Sequence, residues 1–286
     1  MAARFKRSNP FREFCCRAVK SFSSKLGVFL LLAIFLICFV GPFFSPYGVN
    51  DMDLMRMYEG PSREHILGCD GMGRDLLTRL MYGGRYSLAL GICASLFGAA
   101  VGVVIGSIGG YFGGKVETVV MRCMDVWSAL PGIMLCILVS NAMGSGFFAT
   151  VIALTVGGVP GTVRMIRGQI LSERSKEYIE AAQAINCSSA TIMFKHLLPN
   201  VIQPIIVTTT MGIGSTMIMA ASLSYIGLGI QPPNPEWGAM LTEGRAYIRT
   251  NPHLLLVPGI AIALTVFAIN LMGDGVRDAL DPKLRD

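Results

Sequence analysis

The chain has 286 residues, of which 52% are hydrophobic and only 15% are charged. A soluble domain carries roughly 25% charged residues, so the composition excludes an ordinary soluble protein and indicates an integral membrane protein. The formal net charge of +6 does not require a nucleic-acid partner, because an excess of Lys and Arg in cytoplasmic segments gives a membrane protein the same sign.

Long stretches without Asp, Glu, Lys or Arg predict six membrane-spanning helices. A helix needs about 20 apolar residues to cross roughly 30 Å of hydrocarbon. Uncharged stretches of at least that length cover residues 26–50, 86–114, 126–163, 196–235 and 250–273. The third stretch is long enough for two spans that fold back at residues 144–146, and each of the others holds one. We therefore predict an all-α membrane protein with six transmembrane helices.

The distribution of basic residues predicts the orientation. The N-terminal tail carries seven Lys or Arg residues against the single acid Glu13, which indicates a cytoplasmic tail. Six crossings then return the C-terminus to the cytoplasm. The predicted segments are a cytoplasmic tail over 1–25, a first transmembrane helix over 26–44, an extracytoplasmic loop over 45–81, a five-helix core over 82–276 and a cytoplasmic tail over 277–286.

The second predicted span, over residues 86–110, carries a glycine at every fourth position. These glycines are Gly98, Gly102, Gly106 and Gly110. A stripe of this kind lets the backbone of a neighbouring helix approach closely. Glycine is also simply frequent in membrane helices, but the regular repeat favours a helix-packing seam.

A glycine-rich segment after that span superficially matches a phosphate-binding loop. It runs over residues 109–116 and contains Lys115. The next position should be Ser or Thr to hold magnesium, but it is Val116, and the segment follows a membrane span and not a strand. We therefore predict no nucleotide site here.

The third predicted span contains an ionisable residue, Asp125. Such a residue within a membrane is a functional candidate, for example as the titrating site of an ion- or proton-coupled carrier. Alternatively, it pairs with Arg122 one turn earlier. The spans contain no evident set of nucleophile, base and orienting residue, and the histidines and cysteines suggest no metal site or disulfide framework. We predict no catalytic residue, no metal and no cofactor.

The cytoplasmic segment over residues 164–199 predicts a helix, a turn and a second short helix. Residues 177–185 favour a helix, Asn186 can adopt the left-handed conformation that ends one, and Ser188 or Ser189 can cap the next. The second helix carries apolar residues that we expect to be uncovered by the rest of the chain: Ile192, Met193 and Phe194. Exposed apolar side chains mark a partner site, unless the helix lies on the membrane surface.

Within this segment, Glu180-Ala181-Ala182, the turn residue Asn186 and the stretch from His196 to Pro199 resemble the EAA loop of ABC-importer permeases. In that family the loop is a coupling helix that docks into a groove on the ATPase subunit. Most members have glycine where this chain has Asn186, and asparagine is the next-best residue for a left-handed turn.

Further motifs resemble the second permease of dipeptide, oligopeptide and nickel importers. They lie at residues 67–75, 222–229, 235–238 and 273–282, and the resemblance extends over nearly the whole chain. Cys69 stands where that group commonly has threonine.

This resemblance implies a type I permease fold in the bacterial inner membrane. It implies a heterodimer with a homologous permease in the lipid bilayer, two ABC ATPase subunits that hydrolyse ATP, and an extracytoplasmic solute-binding protein. The solute would be a peptide or nickel. ATPase coupling would depend on the following residues: Glu180, Ala181, Ala182, Asn186, Ile192, Met193, Phe194, His196 and Pro199. A carrier that uses Asp125, or a membrane scaffold without a path, remains the alternative.

Overall fold

The structure, a computed structural model, describes residues 18–280. Most of the predicted N-terminal tail and the last six residues of the predicted C-terminal tail lie outside the described residues. Within the described range the protein is helical, and its only strand-like pairing is an isolated bridge between Cys69 and Asp75. The expected all-α fold is confirmed.

The helices follow one another in a simple order. They are α1 (Phe22–Phe39), α2 (Leu76–Phe112), α3 (Gly114–Trp127), α4 (Gly132–Met143), α5 (Phe147–Arg174), α6 (Glu177–Ala184), α7 (Ser189–Tyr225), α8 (Trp237–Gly244) and α9 (His253–Leu280). Short 3-10 turns occupy Gly41–Phe44, Leu54–Arg56 and Arg245–Tyr247, and Ile192–Leu197 within α7 is π-helical.

Five of these helices, α1, α2, α5, α7 and α9, are long and apolar enough to cross a membrane. The pair α3 and α4 is together long and apolar enough to count as a sixth span, with a bend of 79° between its two parts. The segment predicted as the third span is therefore divided into two helices. The break falls before Pro131, because the residue preceding a proline is driven out of the helical conformation. The chain then folds back through Gly144 and Gly146, both at positive φ, as predicted.

The helix boundaries differ from the predicted ones at the N-terminal end of the bundle. Helix α1 ends at Phe39, and residues 41–44 form a separate 3-10 turn with Pro42 near its start. Helix α2 begins at Leu76 because the carboxylate of Asp75 accepts a hydrogen bond from the Thr78 amide at 2.7 Å. Such a cap satisfies a free amide of the first turn, so the connecting loop ends at residue 75.

Helix α2 packs along α5 through three of the four predicted glycines. A Cβ atom at Gly102 would lie 2.5 Å from Cγ2 of Thr162, one at Gly106 would lie 2.9 Å from the Val163 carbonyl oxygen, and one at Gly110 would lie 2.8 Å from Cγ2 of Ile170. No larger side chain fits these places without movement. At Gly98, by contrast, an added Cβ would meet no described atom within 4 Å, so this glycine lines open space.

The end of the bundle where α2 begins is covered by the loop before α2 and by α8. Four charged residues meet there: Asp70, Arg74, Arg79 and Glu243. Asp70 lies 2.6 Å from Nε of Arg74 and 3.2 Å from Nε of Arg79, and Glu243 lies 3.3 and 3.7 Å from the same two guanidinium groups. We call these residues the charged cluster. Burial raises the pKa of the Glu243 carboxyl group, and the two arginines oppose that shift.

The motif at residues 235–238 also belongs to this covered end. The carboxylate of Glu236, 1% exposed, accepts hydrogen bonds from the Ala239 amide and the Ser87 hydroxyl, both at 2.9 Å. The indole N–H of Trp237 donates to the Leu80 carbonyl at 2.8 Å. These bonds tie the start of α8 to the first turns of α2, so these motif residues hold the fold together.

Candidate functional site

Helix α6 and the first turns of α7 form a helical hairpin at the end of the bundle opposite to the charged cluster. Asn186 connects them with φ of +56°. Its amide donates to the Gln183 carbonyl at 2.9 Å, and the Cys187 amide donates to the Ala182 carbonyl at 3.1 Å, as in a left-handed helix cap. Ser188 caps the second helix by accepting from the Thr191 amide at 3.2 Å. The predicted left-handed turn is confirmed.

One face of the hairpin is buried against the bundle. Ile179, Ala182, Ile192 and Leu197 are 0%, 6%, 1% and 0% exposed, and they pack with the lower part of α5, including Ile170. We call this the seated face. The expectation that Ile192 is uncovered is therefore wrong, because α7 turns this side chain towards α5. These contacts fix the hairpin to α5.

The opposite face of the hairpin is uncovered. Ile185 is 76% and Phe194 is 67% exposed, Glu180 and Ala181 are also exposed, and Met193 is half-buried. We call Ile185 and Phe194 the exposed tip. The sequence reasoning missed Ile185, although the signal was present. The signal is its place directly after the last residue of α6, one helical turn beyond the exposed Ala181 and next to the turn at Asn186.

A hydrogen-bond chain holds the hairpin at its base. The Tyr178 hydroxyl donates to the Glu173 carboxylate at 2.6 Å and accepts from the Asn200 side chain at 3.1 Å. Asn200 also donates to the His196 carbonyl at 2.6 Å. Partial burial and then the contact with Glu173 raise the pKa of Tyr178 to about 12. His196 therefore contributes through its backbone, and the exposed Pro199 follows it in the first turns of α7.

Asp125 lies at the end of α3, next to the bend, and its carboxylate is paired. Its Oδ1 is 3.1 Å from Nη2 of Arg164, and its Oδ2 is 3.9 Å from Nη1 of Arg122. The same Arg164 nitrogen donates to the Met124 carbonyl at 3.2 Å and to the Ser128 hydroxyl at 3.0 Å. The alternative of pairing with Arg122 is confirmed, with Arg164 as the closer partner. Arg164 thereby ties α5 to the C-terminal end of α3.

The glycine-rich segment over residues 109–116 crosses from α2 into α3. Gly113 and Gly114 adopt positive φ between the two helices. A phosphate-binding loop joins a strand to a helix, whereas here a helix precedes the glycines. The segment is therefore a turn between two helices.

Two family models match the chain. The one described as "Binding-protein-dependent transport system inner membrane component" matches residues 102–286, and the one described as "N-terminal TM domain of oligopeptide transport permease C" matches residues 10–61.

Similar proteins are known from several bacteria. The chain is 44% identical over 278 residues to the glutathione transport system permease protein GsiD of Pectobacterium atrosepticum, covering 96% of this chain and 92% of that protein. It is 40% identical over 277 residues to the protein of the same name from Escherichia coli, covering 96% and 91%. A chain of the MetNI methionine ABC transporter in an inward-facing conformation shares the fold, with a TM-score of 0.60 and 22% identity over 71% of this chain and 96% of that one.

Proposed function

The chain belongs to the family of binding-protein-dependent transport system inner-membrane components, and from that premise we propose that it is the permease subunit of a peptide importer in which partner subunits hydrolyse the ATP. The predicted family and the multi-pass location in the bacterial inner membrane are confirmed. The orientation of the termini stays a prediction.

The observation that carries this proposal is the two-sided hairpin. Its seated face fixes α6 to α5 and α7, while the exposed tip offers two large apolar side chains to a partner. Apolar side chains that the chain itself leaves uncovered mark a contact surface. Because the hairpin is packed onto two spans, a push on the tip would move those spans as a rigid body, which is a recognised type of switching transition. The partner at the tip is the ATPase subunit.

The other partners and the solute follow from the relatives. The family is defined by its dependence on a binding protein, so we propose an extracytoplasmic binding protein and a second, homologous permease that closes the path. Two ATPase subunits complete the complex, one beneath each permease. The relatives are named for glutathione, which is a tripeptide, and this favours a peptide over nickel as the solute.

The test is to place a charge on the exposed tip. In the complete complex, Ile185→Asp and Phe194→Asp each remove apolar contact and introduce an acid into the docking surface. We expect at least tenfold weaker retention of the ATPase subunit on purification, equivalent to about 1.4 kcal/mol, and a matching loss of ATP-dependent peptide uptake. Undiminished retention together with undiminished uptake would contradict the proposed docking site.

The matched control is Ile66→Asp. Ile66 is 63% exposed, like the tip residues, but it lies in the loop at the covered end. The Ile66→Asp variant should retain the ATPase subunit as well as the wild type does. Ala182→Asp is unsuitable, because Ala182 belongs to the seated face and a buried charge there would disrupt the hairpin itself.

A further inference from the structure

A cavity of about 340 Å³ lies between α2, α5 and α7. It adjoins the central turns of all three helices, near Gly98 on α2, Gly158 on α5 and Gly212 on α7. Residues with hydroxyl groups line it on all three helices, among them Ser95, Thr155, Thr162, Thr208 and Thr216. None of the lining residues, all within the described part of the chain, carries a charge.

Four of the lining residues are glycines that the rest of the chain does not use for packing. A Cβ atom added at Gly98, Gly158, Gly161 or Gly212 would meet no described atom within 4 Å. Glycine inside a helix lowers helix stability relative to alanine. At Gly102 that cost is offset by close approach of α5, but at these four positions nothing in the described chain approaches. The space is therefore open to a molecule from outside the chain.

The wall around these glycines presents hydrogen-bond acceptors. The hydroxyls of Thr162, Thr208 and Thr216 donate to carbonyls four residues earlier in their own helices, at 3.2, 2.9 and 2.9 Å. Ser95 donates to the Thr216 hydroxyl at 3.1 Å, and Thr155 donates to the Ala94 carbonyl at 3.4 Å. A hydroxyl whose hydrogen is used in this way keeps lone pairs with which it can accept. The cavity therefore suits a molecule rich in N–H donors.

We propose that this cavity is the part of the solute path that this chain supplies, and that its hydroxyl oxygens accept hydrogen bonds from the amide N–H groups of a passing extended peptide. This inference rests on the proposed function. An extended peptide offers N–H groups along its whole length. The backbone amides of a helix of the second permease would not donate to the wall, because they are already bonded within that helix.

The chemistry of the cavity wall also indicates which features of a solute it does not recognise. Ni²⁺ is bound by imidazole, thiolate or carboxylate groups, and the lining residues provide none. Without charged groups, the wall does not discriminate between acidic and basic side chains of the solute. It recognises the peptide backbone, and selection by side chain falls to other parts of the complex.

The first test narrows the cavity. In the complete complex, reconstituted in vesicles with trialanine as the solute, Gly158→Leu places a side chain in the open space beside α5, where an added Cβ meets no described atom within 4 Å. We expect trialanine uptake to fall at least tenfold, while the ATPase activity stimulated by trialanine-loaded binding protein stays within twofold of the wild-type value. Gly168→Leu is the control. Gly168 lies on the same helix, and an added Cβ there meets no described atom within 4 Å. It does not line the cavity, so uptake should be unchanged.

The second test removes acceptors while keeping the shape of the wall. In the double variant Thr155→Val and Thr216→Val, we expect about fivefold slower uptake of trialanine. Uptake of an analogue whose backbone nitrogens are methylated should not differ between the double variant and the wild type, because that analogue has no amide N–H to donate. Thr210→Val is the control, since Thr210 makes the same bond within its helix away from the cavity.

The outcomes separate the inference from the proposed function. If Gly158→Leu transports trialanine at the wild-type rate, or if it loses the second permease on purification, the cavity is not a solute path and the inference is overturned. If the double variant loses uptake of both peptides equally, the N–H recognition is overturned. If instead the wild-type complex shows no ATP-dependent uptake of any peptide, the proposed function itself fails.

Discussion

The two ends of the bundle differ in whether their most prominent side chains have partners within the chain. At the covered end, the buried Asp70, Arg74 and Arg79 pair with one another and with the partly exposed Glu243. At the hairpin end, two large apolar side chains of the exposed tip have no such partner in the described chain. The charged cluster therefore finds its partners within the chain, whereas we propose that the exposed tip finds its partner in a second protein. The following predictions test that contrast, from the largest expected effect to the smallest.

The largest effect is expected from breaking the charged cluster. Asp70→Ala removes the acid that lies closest to both Arg74 and Arg79, and it leaves two guanidinium groups buried without it. Removing one partner of a buried ion pair costs about 3–5 kcal/mol. We expect a clearly lower midpoint of thermal unfolding for the detergent-solubilised protein. Arg63→Ala, an exposed residue in the same loop, should change it little. An unchanged midpoint for Asp70→Ala would show that the covered end does not depend on these charges.

Truncating a side chain should destabilise the hairpin on its seated face but not on its exposed face. Ile192→Ala opens a cavity in the seated face and should cost about 2–5 kcal/mol. Phe194→Ala removes an exposed side chain and should change stability by about 0.5 kcal/mol or less. Hydrogen exchange of the α6 amides measures both, with fast exchange expected only in Ile192→Ala. Equal effects of the two changes would mean that the hairpin does not have one buried and one free face.

The turn at Asn186 should show an intermediate effect. Its φ of +56° is disfavoured for a residue with a Cβ atom by about 1–2 kcal/mol, and asparagine tolerates it better than alanine does. We expect Asn186→Ala to speed exchange of the Cys187 amide several-fold, because that amide bonds to the Ala182 carbonyl across the turn. Asn186→Gly should leave exchange at this amide unchanged or slow it. Slower exchange in the alanine variant would contradict the left-handed turn.

The smallest effect is expected at Asp125. Its carboxylate is more than half exposed and paired with Arg164, and exposed ion pairs contribute about 1 kcal/mol or less. Asp125→Asn should leave ATP-dependent uptake within about twofold, because the arginine keeps its contacts with Met124 and Ser128. An ion- or proton-coupled carrier would lose coupled uptake altogether. The measurement is uptake with and without ATP, and ATP-independent uptake that vanishes in the variant would support the carrier.

Features encoded within one short stretch of the chain could be predicted from the sequence. The uncharged stretches predict the spans because hydrocarbon excludes charge wherever a span lies. The turn at Asn186 is local backbone chemistry, and so is the fold-back at Gly144 and Gly146. The glycine repeat correctly marked a face of α2, but the sequence could not tell that Gly98 faces open space while Gly102 faces α5.

Features that depend on which elements meet could not be predicted in this way. Ile192 was expected to be exposed, because nothing in its own helix covers it, yet α5 does. The charged cluster joins Arg74 to Glu243 across 169 positions of the chain, and no local pattern pairs them. The motifs there were recognised by resemblance, and only the structure shows that Glu236 and Trp237 secure the start of α8.

The amino-acid sequence by itself determined that this protein lies in a membrane, where its long apolar helices fall along the chain, and the family to which it belongs. The tertiary structure alone decided which face of the hairpin is seated, which partners the buried charges take, and where three helices leave a cavity. The physical reason is that hydropathy and backbone preference act over a few residues, whereas burial and ion pairing are set by neighbours that the folded chain brings from far away.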